Sequence, residues 1–268
     1  MSDLYNSICI TSVAPTILKN VGITVKSMEN ENPVLNDLIK KKLSGRTADR
    51  VVMYNPDAIA LWLFSKYTAM FTEAFLCSDI ALPMLSVMPS VTPVCFASMY
   101  TGVMPDVHGI KAYRKPVLTQ NTIFDEYLKH GKKCAIVSTA GDSISKIFLE
   151  RDMDYYIYET VEEVNDKTFE LIEKDEYDLL VIYNGDYDGT MHGKGPESEA
   201  SLATLRRNIA TYKAIVEKID TEWKNHDVIY GFAPDHGCHE IDGGCGSHGL
   251  DMTEDLNILH HYGIFPAV

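Results

Sequence analysis

The stretch "SVTPVCFASMYTG" puts a hydroxyl residue, Thr92, directly before a proline, ahead of a helix-like run that stops at Gly102. Threonine at an N-cap followed by proline at the first helical position is a favoured helix start and needs no function. The same geometry aims free backbone N–H groups and the positive end of the helix dipole at whatever lies in front. A phosphoryl group would be held there. A threonine alkoxide would also be stabilised there if a cation lowered its pKa. From the motif alone both readings stay open.

Carboxylates and imidazoles gather in three other places. Asp57 follows "RVVMYNP", and "GDYDGTMHGKGP" carries Asp186, Asp188 and His192. "PDHGCHEIDGGCGSHG" carries Asp235, His236, His239 and His248. Asp188 and His192 are spaced i, i+4, so on a helical turn they face the same way and can hold one ion. Taken alone, the pair reads first as a helix-capping Asp with a surface His. Asp235-His236 alone is a common turn, and the glycines around His248 make either a flexible turn or a tightly folded ligand loop. Asp79 competes with Asp57, which is preferred because it follows a strand-like run directly. Cys238, His239, Cys245 and His248 offer an alternative, a structural zinc knot, for which the adjacent Cys-His pair and the glycines are poorly suited.

The elements that must position these residues are legible in outline. Apolar runs at 50–55, 133–139, 178–184 and 227–233 are rich in Val, Ile, Tyr or Phe and read as buried parallel strands. Helical spacing runs over 32–43, 121–131, 161–174 and 198–223. Alternating strands and helices predict an α/β fold with a mostly parallel central sheet flanked by helices. Ligands of such sheets bind beyond the carboxyl ends of the strands. Three of the four strand-like runs deliver Asp or His residues at that end.

With 268 residues, the chain is long enough for one large domain, divided here into an N-terminal helical extension, 1–48, and a core, 49–268. The net charge of −14 argues against a nucleic-acid polymer as partner. A small phosphorylated substrate remains compatible if metal ions concentrate positive charge locally. No apolar run approaches a membrane span and no export signal is evident. Six scattered cysteines read as reduced thiols, so the expectation is a cytoplasmic protein that does not engage a membrane. A homo-oligomer is one way to complete an open pocket.

The ordered set Asp57, Thr92, Asp188, His192, Asp235, His236 and His248 resembles the alkaline phosphatase superfamily, and most closely its nucleotide pyrophosphatase/phosphodiesterase branch. The carrying motifs are Thr92 through "ASMYTGVMPDVHGI", D-x-x-x-H-x-x-G-P at Asp188–Pro196, D-H-G at Asp235–Gly237 and G-x-H-G at Gly246–Gly249. They run in order from about residue 50 onward. The resemblance implies an alkaline phosphatase-like core and two divalent ions about 4 Å apart, most readily Zn²⁺, with Mn²⁺ possible. One would be held by Asp57, Thr92, Asp235 and His236, the other by Asp188, His192 and His248. Thr92 would be the nucleophile, forming a phospho-threonine intermediate on a phosphodiester or a nucleotide pyrophosphate. Phosphomonoester hydrolysis at the same site and non-catalytic binding of a phosphorylated ligand are the alternatives. Where the resemblance implies an Asn three residues after the nucleophile, this chain has Cys95, a poor donor. Lys111 and Arg114 are candidates to supply positive charge. Sulfatase chemistry is disfavoured because "TPVCF" lacks the arginine it needs. Tyr54, Tyr183 and Tyr187 flank ligand positions and would either stack on a base or pack.

Overall fold

A computed structural model describes residues 4–26, 28 and 30–268. The described residues form ten strands: β1 (Ile8–Cys9), β2 (Arg50–Pro56), β3 (Ile80–Leu85), β4 (Cys134–Thr139), β5 (Asp154–Tyr158), β6 (Leu179–Asn184), β7 (Val228–Phe232), β8 (His239–Ile241), β9 (Cys245–Ser247) and β10 (Asn257–Phe265). Eight of them form one sheet in the order β1-β3-β10-β7-β2-β6-β4-β5, and β8 and β9 form a separate hairpin. All neighbours in the large sheet are parallel except β10, which runs antiparallel to both β3 and β7.

Why the sheet is double-sided follows from the pleat. Val51 and Met53 of β2 enter one core with Leu179 and Val181 of β6, while Val52 and Tyr54 enter the other with Leu180 and Ile182. Successive side chains point to opposite faces, so a strand covered on both sides must be apolar throughout. The covering helices begin where their sequences supply caps. Thr122 with Asp125 and Thr160 with Glu163 form capping boxes, and Asn32 and Ser198 accept from the third residue beyond them. The 24-residue helix Glu199–Glu222 buries Leu205, Ile209, Tyr212, Ile215 and Ile219 along one face.

The first 48 residues contain a strand as well as helices. β1 extends the sheet by pairing Ile8 with Met84 and Cys9 with Leu85. Val13, Ile17, Leu35 and Ile39 lie in the same core as the helix Thr92–Thr101. All six cysteines are free thiols. No helix among the described residues is long and apolar enough to cross a membrane.

β10 carries an unusual load for an interior strand. His260 and His261 are both fully buried; His260 hydrogen-bonds at both ring nitrogens, whereas neither nitrogen of His261 has a partner. The His261 ring instead meets Phe75 and Phe232 edge-on. Burial lowers its pKa to about 4, so the unfolded chain takes up the proton first as pH falls. Stability from this group is therefore complete above about 6.5 and is lost progressively toward pH 4, by about 3 kcal/mol. His261→Leu is expected to flatten that loss and to add about 1–2 kcal/mol at pH 7. Urea denaturation at pH 7 and pH 5 checks both; a variant less stable than the parent at pH 5 contradicts the account.

Candidate active site

Three adjacent strands, β7-β2-β6, end on the same edge of the sheet, and their carboxyl ends carry the chemistry. Asp57 follows β2, Asp188 lies in the first turn of the helix Asp186–Lys194 after β6, and Asp235 and His236 follow β7. Thr92 arrives from β3, and His248 directly follows the hairpin strand β9. The loop ends of a parallel sheet are the expected place for such convergence.

Two clusters result. Ligand-type atoms of Asp57, Asp235 and His236 lie within 4.8 Å of one another, as do those of Asp188, His192 and His248. The clusters touch: the His236 and His248 rings stack with centroids 4.1 Å apart. Thr92 Oγ1 donates to Asp57 Oδ2 at 3.2 Å and lies 3.4 Å from His236 Nε2. Asp57, Asp235 and His236 have no solvent exposure, and Thr92 has 3%.

The imidazoles are oriented by backbone. The Nδ1 of His192, His236 and His248 each face a carbonyl, those of Gly246 (3.1 Å), Gly237 (2.9 Å) and Ser90 (2.8 Å). A nitrogen facing a carbonyl must donate, which leaves the Nε2 lone pairs pointing into the clusters. His192 Nε2 and His248 Nε2 are 3.2 Å apart, with Asp188 Oδ1 3.3 and 3.4 Å from them. Two lone pairs and a carboxylate oxygen converge where only a cation belongs.

The carboxylates make the same demand. Asp57 Oδ1, Asp188 Oδ1 and Asp235 Oδ2 are buried without hydrogen-bond partners. Burial and then the Asp188 charge push Asp57 up to about 7. Burial and the Asp57 carboxylate push Asp235 well up. Burial also raises Asp188, but the neighbouring imidazoles of His192, His248 and His236 outweigh it whenever they carry a positive charge and hold the group below the usual range. Burial lowers His236 to about 3. Unpaired buried carboxylates are costly, and a divalent ion at each cluster removes the cost. The donor set of carboxylate oxygens and imidazole nitrogens therefore fits two divalent ions.

A cleft of about 600 Å³ opens in front of Asp57, Thr92 and Asp188. Its far wall comes from Thr139–Ser143, at and beyond the end of β4, and from Glu159–Glu162, after β5; Tyr113 and Lys115 form another side. Lys115 Nζ donates to the Gly141 carbonyl at 2.9 Å and stands 5.2 Å from the Tyr113 ring centre.

Several sequence expectations need correction here. Thr92 is the first helical residue, not the cap; Val91 holds the cap position. Val94 N and Cys95 N both donate to the Val91 carbonyl and Pro93 has no N–H, so of the first-turn donors only the Thr92 N–H lacks a partner among the described residues. Cys95 lies one turn deeper, fully buried, its Sγ 3.2 Å from Ser86 Oγ, and does not line the cleft. Lys111 is also outside it, paired with Asp106 on the surface at 2.6 Å, and Arg114 faces a separate pocket. Lys115, four residues along from Lys111, is the cation in the cleft lining. Tyr54 and Tyr187 are packed and bonded to Asn208 and the Pro196 carbonyl, whereas Tyr183 reaches the cleft and donates to Asp57. Burial and the Asp57 charge keep that phenol far above its ordinary pKa. Asp79 lies away from the site, paired with Lys42 at 2.5 Å. The zinc-knot quartet is not assembled: Cys238 is buried beside Tyr187, and His239 is bonded to Asp255.

The chain belongs to the type I phosphodiesterase/nucleotide pyrophosphatase family, whose pattern it matches over residues 51–258. No curated protein sequence matches it. Among solved structures it is similar to human and murine ectonucleotide pyrophosphatase/phosphodiesterase 5, each at 16% identity and a TM-score of 0.58. These alignments cover 72% of this chain and 58% of theirs, so it spans less than two thirds of their length. An inactive threonine-to-alanine form of the murine protein, in complex with AMP, aligns at 16% identity with a TM-score of 0.56, over 73% of this chain and 59% of that one. The sheet and its helices are thus the alkaline phosphatase-like architecture of that family.

Glycine at position 246 is what lets the hairpin carry His248 into place. A Cβ there would stand 2.5 Å from Met191 Sδ and 2.8 Å from the Met191 carbonyl. Gly246→Ala is expected to lift the hairpin from the helix Asp186–Lys194, costing about 1–3 kcal/mol and displacing both His248 and the carbonyl that orients His192. Calorimetric metal titration checks this: binding at the Asp188 cluster should weaken while that at the Asp57 cluster persists.

Proposed function

We propose that this protein hydrolyses phosphodiester or nucleotide pyrophosphate bonds at a two-metal site, through a phosphorylated Thr92. The observation that carries the reading is the pair of touching clusters, each with an unpartnered buried carboxylate oxygen and inward-facing Nε2 atoms, beside the Thr92 hydroxyl. Divalent ions bound by Asp57, Thr92, Asp235 and His236 and by Asp188, His192 and His248 would supply positive charge for the attacking and leaving oxygens.

The chain's own residues set the geometry. Thr92 donates its hydroxyl hydrogen to Asp57 Oδ2, which turns a lone pair of Oγ1 toward the cleft. The helix start adds one free N–H and the dipole of the helix Thr92–Thr101 on the side where negative charge develops. In-line attack on phosphorus would form the Thr92 phosphoester and expel the alcohol or phosphate arm into the open cleft. Water would then cleave the phosphoester and restore the hydroxyl. The murine neighbour that is inactive with alanine in place of a threonine, and that holds AMP, supports both the nucleophile and a nucleotide-sized substrate.

Diester is favoured over monoester by charge. Lys115 is the one cation among the described residues that line the cleft, and it is already engaged with a carbonyl and a ring. Nothing else there balances the extra charge of a monoester. The test is to dialyse the protein free of metal, restore Zn²⁺ or Mn²⁺, and compare bis-p-nitrophenyl phosphate, the p-nitrophenyl ester of thymidine monophosphate, and p-nitrophenyl phosphate. Metal-dependent turnover with a diester preference is expected. Two bound ions with no turnover of any ester would instead favour a protein that only binds phosphorylated ligands.

A further inference from the structure

Tyr183, next to last in β6, sets its ring edge-on to Phe96, centroids 5.8 Å apart, and its hydroxyl donates to Asp57 Oδ2. Thr92 Oγ1 donates to that same oxygen. The other oxygen, Oδ1, has no hydrogen-bond partner and lies 3.3 Å from His236 Nε2. Each carboxylate oxygen offers about two lone-pair sites, so the two hydroxyl donors fill Oδ2 and leave Oδ1 bare.

We propose that Tyr183 is a positioning residue: its hydroxyl fixes the Asp57 carboxylate so that Oδ1 faces the cation position while Oδ2 stays on Thr92. The inference rests on the two-cation reading given under Proposed function.

Gly185 supplies an independent sign that the hydroxyl's place is built. A Cβ at this position would stand 2.8 Å from Tyr183 Oη and 3.1 Å from Cε1. Yet Gly185 has φ −93°, open to any residue. The backbone does not require glycine there, whereas room for the Tyr183 hydroxyl does. Without that donor, Asp57 has only Thr92 to orient it. Its two oxygens then become interchangeable, and the cation position loses a fixed ligand. Partners that orient a metal-ligating group commonly contribute 10–100-fold to affinity.

The probe is Zn²⁺ alone, titrated calorimetrically into metal-free protein. Wild type should show two binding events, assigned by Asp188→Asn, which removes one of them. Tyr183→Phe keeps the ring on Phe96 and deletes only the O–H. It should weaken the event belonging to the Asp57 cluster by about 10–100-fold and leave the other unchanged. Gly185→Ala, which crowds the hydroxyl from the other side, should weaken the same event. Undiminished affinity in Tyr183→Phe overturns the proposal while leaving the cation site standing. So does a drop in the melting midpoint of metal-free protein with both affinities intact, since that marks a packing role. Wild-type protein that binds no Zn²⁺ removes the two-cation reading itself, and the Tyr183 proposal with it.

Discussion

Thr92→Ala is expected to lower turnover of a p-nitrophenyl phosphodiester by on the order of 10³-fold or more, the scale seen when a covalent nucleophile is deleted. Metal should stay bound, because Asp57, Asp235 and His236 remain within ligand distance of one another without Thr92. The two readouts separate the possible roles of the hydroxyl. A threonine that only helped to start the helix would show up as lost stability with catalysis intact. Thr92 makes no capping hydrogen bond and the cap position belongs to Val91, so little stability is at stake. Rapid quenching of the wild-type reaction with labelled substrate should also trap phosphate on Thr92, and the alanine variant should trap none. Full activity in the variant would sink the covalent mechanism.

The second large effect is on stability. Adding divalent ion at about a thousand times its dissociation constant should stabilise the metal-free fold by about 4 kcal/mol per site. For a chain of this size the melting midpoint would rise by on the order of 10 °C. The cause is the three buried carboxylate oxygens without partners, together with the mutual repulsion of Asp57 and Asp235. Asp235→Asn should therefore act in opposite directions. It relieves that repulsion and raises the midpoint of the metal-free protein, yet it removes much of the gain on adding ion. Scanning fluorimetry of both proteins with and without Zn²⁺ checks this. A variant whose metal-free midpoint falls would show that the carboxylate is satisfied some other way.

What could be read from the residues alone divides along physical lines. The strands β2, β4, β6 and β7 were legible because burial on both faces demands an unbroken apolar run, and each supplies one. The strand β3 was hidden by Pro83 at its middle, which ordinarily argues against a strand. It is tolerated where β1 pairs only with Met84 and Leu85. The strand β10 was hidden by His260, His261 and Gly263, which break an apolar pattern although the histidines are buried. At the site, side chains with distinctive chemistry at strand ends could be picked out. The carbonyls of Ser90, Gly237 and Gly246 that orient the histidines could not, since every residue has one. Cys95 and Lys111 were placed by spacing along the chain, and spacing does not say which way a helix or a loop turns its side chains. Tyr183 stands out in the sequence as a ring flanking a ligand position, but its hydroxyl and the partner of that hydroxyl become visible only with β2 and β6 side by side.

The place of β10 in the sheet also has a bearing on how this protein comes to life. It follows the other strands in sequence, yet it occupies an interior slot and is the sole link joining β1 and β3 to the remaining five strands. During synthesis those five can pair once β7 has emerged, whereas β3 has only β1 beside it until residues 257–265 follow. Until then the open flanks of β3 and β7 are sticky templates for other chains.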